Sequence, residues 1–257
     1  MSLIDVTQSL EAILNEIDSK KSNERIDASI EYLKTKIWGT FRENLLSVDV
    51  FGSYDRTTYL SNDQNGDVDI LIVFKENQYK PDTYLTQLKT FGEKCYPKSE
   101  IYPDHPTIAI ELNHIKFELV PSYKTGGSFK IPAPRSNGVS WISTNPIDFK
   151  QKLLSKDKNN KGLIIPTIKL IKYWNLKNGK ILDSFEIERA IIEKLYDCKI
   201  IKDYFFSAFS ALLSVSTNEA NRAKIKSALE ILRKVKVLEK EGFNEYAVLE
   251  LAKLFNL

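Results

Sequence analysis

The chain has 257 residues, 42% hydrophobic and 28% charged, with 37 Lys and Arg against 34 Asp and Glu. That length suits one large domain or two intimate lobes; the composition excludes global disorder and a low-complexity fibre, and a net charge of +3 is too mild to mark a nucleic-acid binder. Two cysteines (Cys95, Cys198) and two histidines (His105, His114) make neither a disulfide framework nor a four-ligand zinc site, and no apolar run approaches the roughly 20 residues of a membrane helix.

No charged-then-apolar signal segment opens the chain, so the expectation is a reduced, soluble, cytoplasmic protein without a membrane partner. Leu3, Val6, Leu10, Leu14 and Ile17 recur at helical spacing. Ile26, Ile30, Leu33, Ile37 and Phe41 repeat it after a polar break at Lys20–Asn23, which predicts helix to about Leu45. From Leu46 the period becomes two. Val48, Val50 and Phe51 predict a short strand ending at Gly52-Ser53. A polar loop, Ser61–Gly66, then leads into Asp67–Phe74, whose β-branched run suits a buried central strand. Ile108–Leu112 and Ile115–Val120 flank Asn113-His114, a tight hairpin turn. After Pro121 the character shifts, and residues 124–146, with Gly126, Gly127, Pro132, Pro134, Asn137 and Gly138, read as loop and crossover. The remainder is helical, at roughly 147–157, 164–177, 184–197, 202–215, 219–240 and 245–255. Asp183 and Glu186 have the form of a capping box that starts one helix near Ser184.

The chemistry concentrates where the first strand ends and the second begins. Residues two apart on a strand share a face, so Asp67 and Asp69 project together while Val68 turns to the core. Paired carboxylates repel unless a cation lies between them, which is how hard divalent metals are held. Glu118, on a later strand, can bring a third carboxylate. Gly52 permits close backbone approach, and the N–H groups from Ser53 onward can face phosphate oxygens. Together these point to metal-dependent phosphoryl or nucleotidyl transfer. Trp141, Tyr123 and Tyr173 suit base stacking or, more simply, the core. The lysines between Lys150 and Lys161 and the basic face of 219–240 read as solvated helix surfaces, so a nucleic-acid partner is permitted but not required.

The stretch Gly52-Ser53-Tyr54-Asp55-Arg56-Thr57-Thr58 followed by Asp67-Val68-Asp69 resembles the signature of the DNA-polymerase-β-like nucleotidyltransferases. Phe117-Glu118-Leu119-Val120-Pro121, Ser140–Pro146, Lys169–Asn175 and the Ser184 region resemble the later blocks of their CD-NTase branch, the bacterial cyclic-oligonucleotide synthases akin to cyclic GMP-AMP synthase. The resemblance covers about residues 45–190, with one departure: the branch usually has Asp where this chain has Glu118.

The resemblance implies an α/β (α+β) fold with a small mixed sheet in a catalytic lobe, residues 1–146, and a helical lobe, 147–257, closing an active-site cleft. It implies magnesium, with manganese as an alternative, held by Asp67, Asp69 and Glu118. One metal would activate a ribose hydroxyl and the other would neutralise the departing pyrophosphate. Gly52, Ser53, Arg56, Ser184 and one of Lys169 and Lys172 would bind the nucleotide. NTPs would be the substrates of a monomeric enzyme. The product would be a cyclic di- or oligonucleotide messenger of antiphage signalling, read by a separate effector protein. The alternatives are linear, template-independent transfer to RNA, protein or a small molecule, and a catalytically silent nucleotide- or RNA-binding module.

Overall fold

A computed structural model describes residues 5–18, 20–63, 66–75, 78–104, 106–133 and 140–257. Leu3, His105, Pro134, Asn137, Gly138 and the middle of the Ser61–Gly66 loop lie outside the described residues. The chain gathers into two compact units: Lys20–Lys150, and Met1–Ser19 together with Gln151–Leu257.

The first helix, α1 (Val6–Ile17), opens with Asp5 accepting the Gln8 N–H while the Gln8 side chain accepts the Asp5 N–H, a complete capping box. It buries Val6, Leu10, Ile13 and Ile17, and it does so in the helical unit, not beside the sheet as expected. Helical spacing announces which face is apolar but not which partner covers it. The later division between the two units falls between Lys150 and Gln151.

The sheet unit begins with α2 (Lys20–Phe41), so the polar stretch read as a break is already the first turn of a helix. Then come β1 (Leu45–Phe51), the short α3 (Gly52–Asp55), β2 (Asp67–Phe74), α4 (Pro81–Cys95), β3 (Glu100–Asp104), β4 (Thr107–Leu112), β5 (Ile115–Thr125), β6 (Ser128–Pro132) and β7 (Trp141–Thr144). The strand order is β1-β2-β5-β4-β3, with β6 and β7 continuing from β5. β2 and β5 are parallel, and the other pairs are antiparallel. Residues 124–146 are therefore not simple crossover. Gly126 and Gly127, both at positive φ, make the tight turn between β5 and β6, so glycines that read as loop mark a hairpin. Pro121 sits inside β5, just past Leu119, the last residue that β4 pairs. There its missing N–H breaks no β4 ladder bond.

Alternation divides the sheet cleanly. Val68, Ile70 and Ile72 of β2, Phe117 and Leu119 of β5, and Ile108 and Ile110 of β4 join one core with Ile26, Ile30, Leu33 and Ile37 of α2 and Leu85, Leu88 and Phe91 of α4. Leu71, Val73, Val120 and Phe129 form a smaller cluster on the opposite face. Asp67, Asp69, Lys116 and Glu118 fall in the alternate positions, away from the main core.

The helical unit takes up the rest, entered within α5 (Pro146–Asn159): α6 (Ile164–Lys177), α7 (Ser184–Glu193), α8 (Ile201–Leu212), α9 (Glu219–Lys240) and α10 (Asn244–Ala252). α6 is its hub, buried from Thr167 to Asn175 and packed against α1, α7 and α8. Tyr173 stacks on Phe255 at 5.5 Å and Trp174 meets Phe209 edge-on at 5.0 Å, so Tyr173 is a core residue. Among the described residues, no helix is long and apolar enough to cross a membrane.

Candidate active site

The sheet register assembles the acidic cluster. β1 runs antiparallel to β2 with Phe51 opposite Asp69, so the chain leaves β1 beside the second aspartate. β2 runs parallel to β5, with Asp67 opposite Lys116 and Asp69 opposite Glu118. Asp67, Asp69 and Glu118, distant in sequence, therefore share one face of two neighbouring strands.

Gly52 is required by that arrangement. Its φ is +70°, and a Cβ built there would lie 1.8 Å from Asp69 Oδ2 and 2.7 Å from its Cγ. The Asp69 carboxylate rests against the glycine, in space that any side chain would take. The turn that follows is self-closed: the Arg56 N–H donates to the Gly52 carbonyl at 3.2 Å and the Thr58 N–H to the Ser53 carbonyl at 3.0 Å. Half-buried Ser53 keeps its hydroxyl without a hydrogen-bond partner among the described residues. Each of the next three side chains is tied to a different group. Tyr54 donates to Asp27 Oδ1 of α2 at 2.8 Å, Asp55 accepts from Lys150 Nζ of α5 at 2.6 Å, and the buried Arg56 guanidinium lies 5.1 Å from the Phe149 ring centre.

Charge crowding shapes the cluster. Burial first, then the charges of Asp67 and Glu118, push the Asp69 carboxyl up to about 8, against the pull of Arg56 and Lys116. Glu118 is also raised, by burial first, although the Lys116 hydrogen bond opposes this. Lys116 Nζ donates to Glu118 Oε1 at 2.5 Å and to Asp104 Oδ2 at 3.3 Å, and lies 3.5 Å from Asp67 Oδ2. Burial alone would lower its pKa; the carboxylates more than reverse that and leave Lys116 above the ordinary lysine value. The cluster is brought to one face, yet among the described residues no three Asp, Glu, His or Cys side chains converge as a ready metal cage. Glu118 is turned onto the lysine instead.

The remaining nucleotide-binding candidates belong to the helical unit. Lys169 Nζ lies 3.0 Å from Asp18 Oδ2 and Lys172 Nζ donates to Glu188 Oε1 at 3.0 Å, both from buried positions on α6. Ser184 is the exposed first residue of α7, one past the cap Asp183, whose side chain accepts the Glu186 N–H at 3.0 Å. Trp141 and Tyr123 meet edge-on at 4.9 Å. Sequence reasoning missed Lys116 and Tyr54. The signal for the first was there: it precedes Glu118 by two and so shares its face.

Residues 4–159 match the model of the Second Messenger Oligonucleotide or Dinucleotide Synthetase domain, abbreviated SMODS. The chain belongs to the SMODS family. This SMODS chain is 26% identical over 162 residues to a CCA-adding enzyme of Picrophilus torridus, across 63% of this chain and 34% of that one. It is 27% identical over 105 residues to a probable cyclic nucleotide synthase of Bacillus cereus, across 38% and 31%. These alignments span about a third of the length of the curated relatives. In fold it is similar to the Bradyrhizobium diazoefficiens CD-NTase CdnG in complex with GTP, with a TM-score of 0.73 at 12% identity over 96% of this chain and 99% of that one. Escherichia coli CdnC with ATP gives 0.71 at 14% identity over 100% and 99%. The mixed sheet with a helical C-terminal region is the fold of CD-NTases.

Proposed function

We propose that this SMODS protein is a metal-dependent nucleotidyltransferase that makes a cyclic di- or oligonucleotide from NTPs. The observation that carries the reading is the parallel register that sets Asp67, Asp69 and Glu118 on one face beside the Gly52 turn. The donor set fits a hard divalent ion: it is all carboxylate oxygen, and burial and mutual repulsion hold Asp69 and Glu118 protonated beyond their ordinary range, a strain that a cation relieves. Asp67, Asp69 and Glu118 would hold magnesium, or manganese in its place. Bound there, the metal supplies Lewis-acid charge stabilisation for attack of a ribose hydroxyl on an α-phosphate with loss of pyrophosphate.

The chain's own groups do the rest. Gly52 gives Asp69 its place, the free Ser53 hydroxyl donates to a phosphate oxygen, and Arg56 adds positive field next to Asp69 while its guanidinium stays against Phe149. Of the two lysines, Lys169 is the better triphosphate ligand, since its partner Asp18 is half exposed while Lys172 is committed to fully buried Glu188. Ser184, exposed at the start of α7, is a second phosphate contact. A cytoplasmic monomer whose product acts on a separate effector in antiphage defence completes the reading; the family description of second-messenger synthesis supports the messenger alone.

The 162-residue likeness to a CCA-adding enzyme favours one competitor, linear nucleotide addition. The separating experiment incubates the protein with radiolabelled NTPs and magnesium, then with phosphatase. A product that phosphatase leaves wholly unchanged in mass, with release of pyrophosphate, is expected. A product that loses terminal phosphates and remains as an open oligonucleotide with its phosphodiesters intact would favour linear addition, and absence of pyrophosphate would leave only nucleotide binding.

A further inference from the structure

Lys116 stands where the acidic cluster most needs positive charge. Its Nζ reaches Glu118 at 2.5 Å, Asp104 at 3.3 Å and Asp67 at 3.5 Å, from a side chain only 19% exposed. The strand ladder places it there, because Lys116 lies opposite Asp67 on the parallel neighbour and two residues from Glu118 on its own strand. The ammonium also has somewhere to go. Asp104 is about half exposed, and Lys116 lines an open cavity of about 840 Å³ together with Tyr59, Tyr102, Glu111 and His114. It can therefore leave Glu118 along Asp104 without disturbing the core.

Resting on the assignment of Asp67, Asp69 and Glu118 as metal ligands, we propose that Lys116 is an internal counter-cation that holds Asp67 and Glu118 together in the metal-free site and yields them to the metal, with Asp104 retaining the displaced ammonium. Two carboxylates on adjacent strands repel, and a cation between them keeps them in place before metal arrives. The same ammonium competes with the metal for Glu118 and repels it at close range. Lys116 is thus a positioning residue that lowers metal affinity in exchange for a pre-formed site. Asp104 acts in the opposite sense, by drawing the ammonium away.

The test measures Mn²⁺ binding to the full chain without nucleotide, by electron paramagnetic resonance, alongside thermal melting. Lys116→Met should bind Mn²⁺ about tenfold tighter and melt lower than wild type only when metal is absent. Lys116→Arg, which keeps the cation, should stay near wild type in both. Asp104→Asn should bind several-fold weaker, and that weakening should vanish in the Lys116→Met background, because Asp104 acts through the lysine. Equal or weaker Mn²⁺ binding by folded Lys116→Met overturns the inference, as does an Asp104→Asn effect that persists without the lysine. If Lys116→Met does not fold, Lys116→Gln takes its place under the same criteria. Wild type that binds no Mn²⁺ overturns the ligand assignment and the inference together. Mn²⁺ binding that is lost in the Asp67→Asn, Asp69→Asn double variant but unchanged by Lys116→Met overturns the inference alone.

Discussion

Asp69 is the residue on which the site turns. In an unfolded chain an aspartate loses its proton near pH 4, whereas in the fold Asp69 holds it to about 8. For a group raised on folding, its stability contribution is fully present below the unfolded pKa and is lost as pH rises through the folded one. Metal-free protein should therefore melt at progressively lower temperature from about pH 4 to about pH 8, and Asp69→Asn should flatten that slope. A divalent ion needs the ionised carboxylate, so its affinity should climb over the same window. Mn²⁺ titrations at about pH 6 and about pH 8 check this, and pH-independent binding would reject Asp69 as a ligand. Gly52 belongs to the same contact. Alanine there meets both a left-handed backbone, costing about 1–2 kcal/mol, and the Asp69 carboxylate, so Gly52→Ala should slow pyrophosphate release about a hundredfold through displacement of that group.

At the scale of elements, α6 shows why the two lysines differ. Lys172 and Glu188 form a pair in which Glu188 is fully buried and the Lys172 side chain is 7% exposed. Removing one member of such a pair leaves a buried charge, so Lys172→Met should destabilise the protein by about 3–5 kcal/mol in urea melts. Replacing both with apolar residues should recover most of that loss. Lys169→Met removes a pair whose aspartate can return to water, so it should keep the fold and weaken nucleotide binding. A Lys172→Met protein as stable as wild type would remove the structural role. The spacing of Lys169 and Lys172 was visible in the sequence, but not their partners, since Asp18 and Glu188 reach α6 from other helices.

For the whole molecule, the telling fact is that α1 belongs to the helical unit. Its four buried side chains, at about 1.5–3 kcal/mol each, represent a stabilisation comparable with the net stability of about 5–15 kcal/mol typical of a protein. Deleting residues 1–18 should therefore unfold the helical unit or render it aggregation-prone, although the sheet and its carboxylates lie elsewhere in the chain. Near-native circular dichroism and cooperative melting of the truncated protein would contradict the assignment of α1.

Local pattern was enough for much of this protein. Two-residue periodicity around Gly52-Ser53 and Asp67-Val68-Asp69 determined the central strands and the shared face of the aspartates, and apolar spacing marked out the two N-terminal helices and α6 to α10. These signals are carried by neighbours along the chain. The β5–β6 and β6–β7 hairpins were hidden because Gly and Pro punctuate turns and long loops alike. α4 went unassigned although its buried face packs under the sheet. What only the tertiary structure decided are relations between strands and helices: β2 beside β5, Lys116 among three carboxylates, Asp69 against Gly52, and α1 on α6. Register and helix partnership are set by burial of whole faces against one another, and the sequence spells out those faces without saying which of them meet.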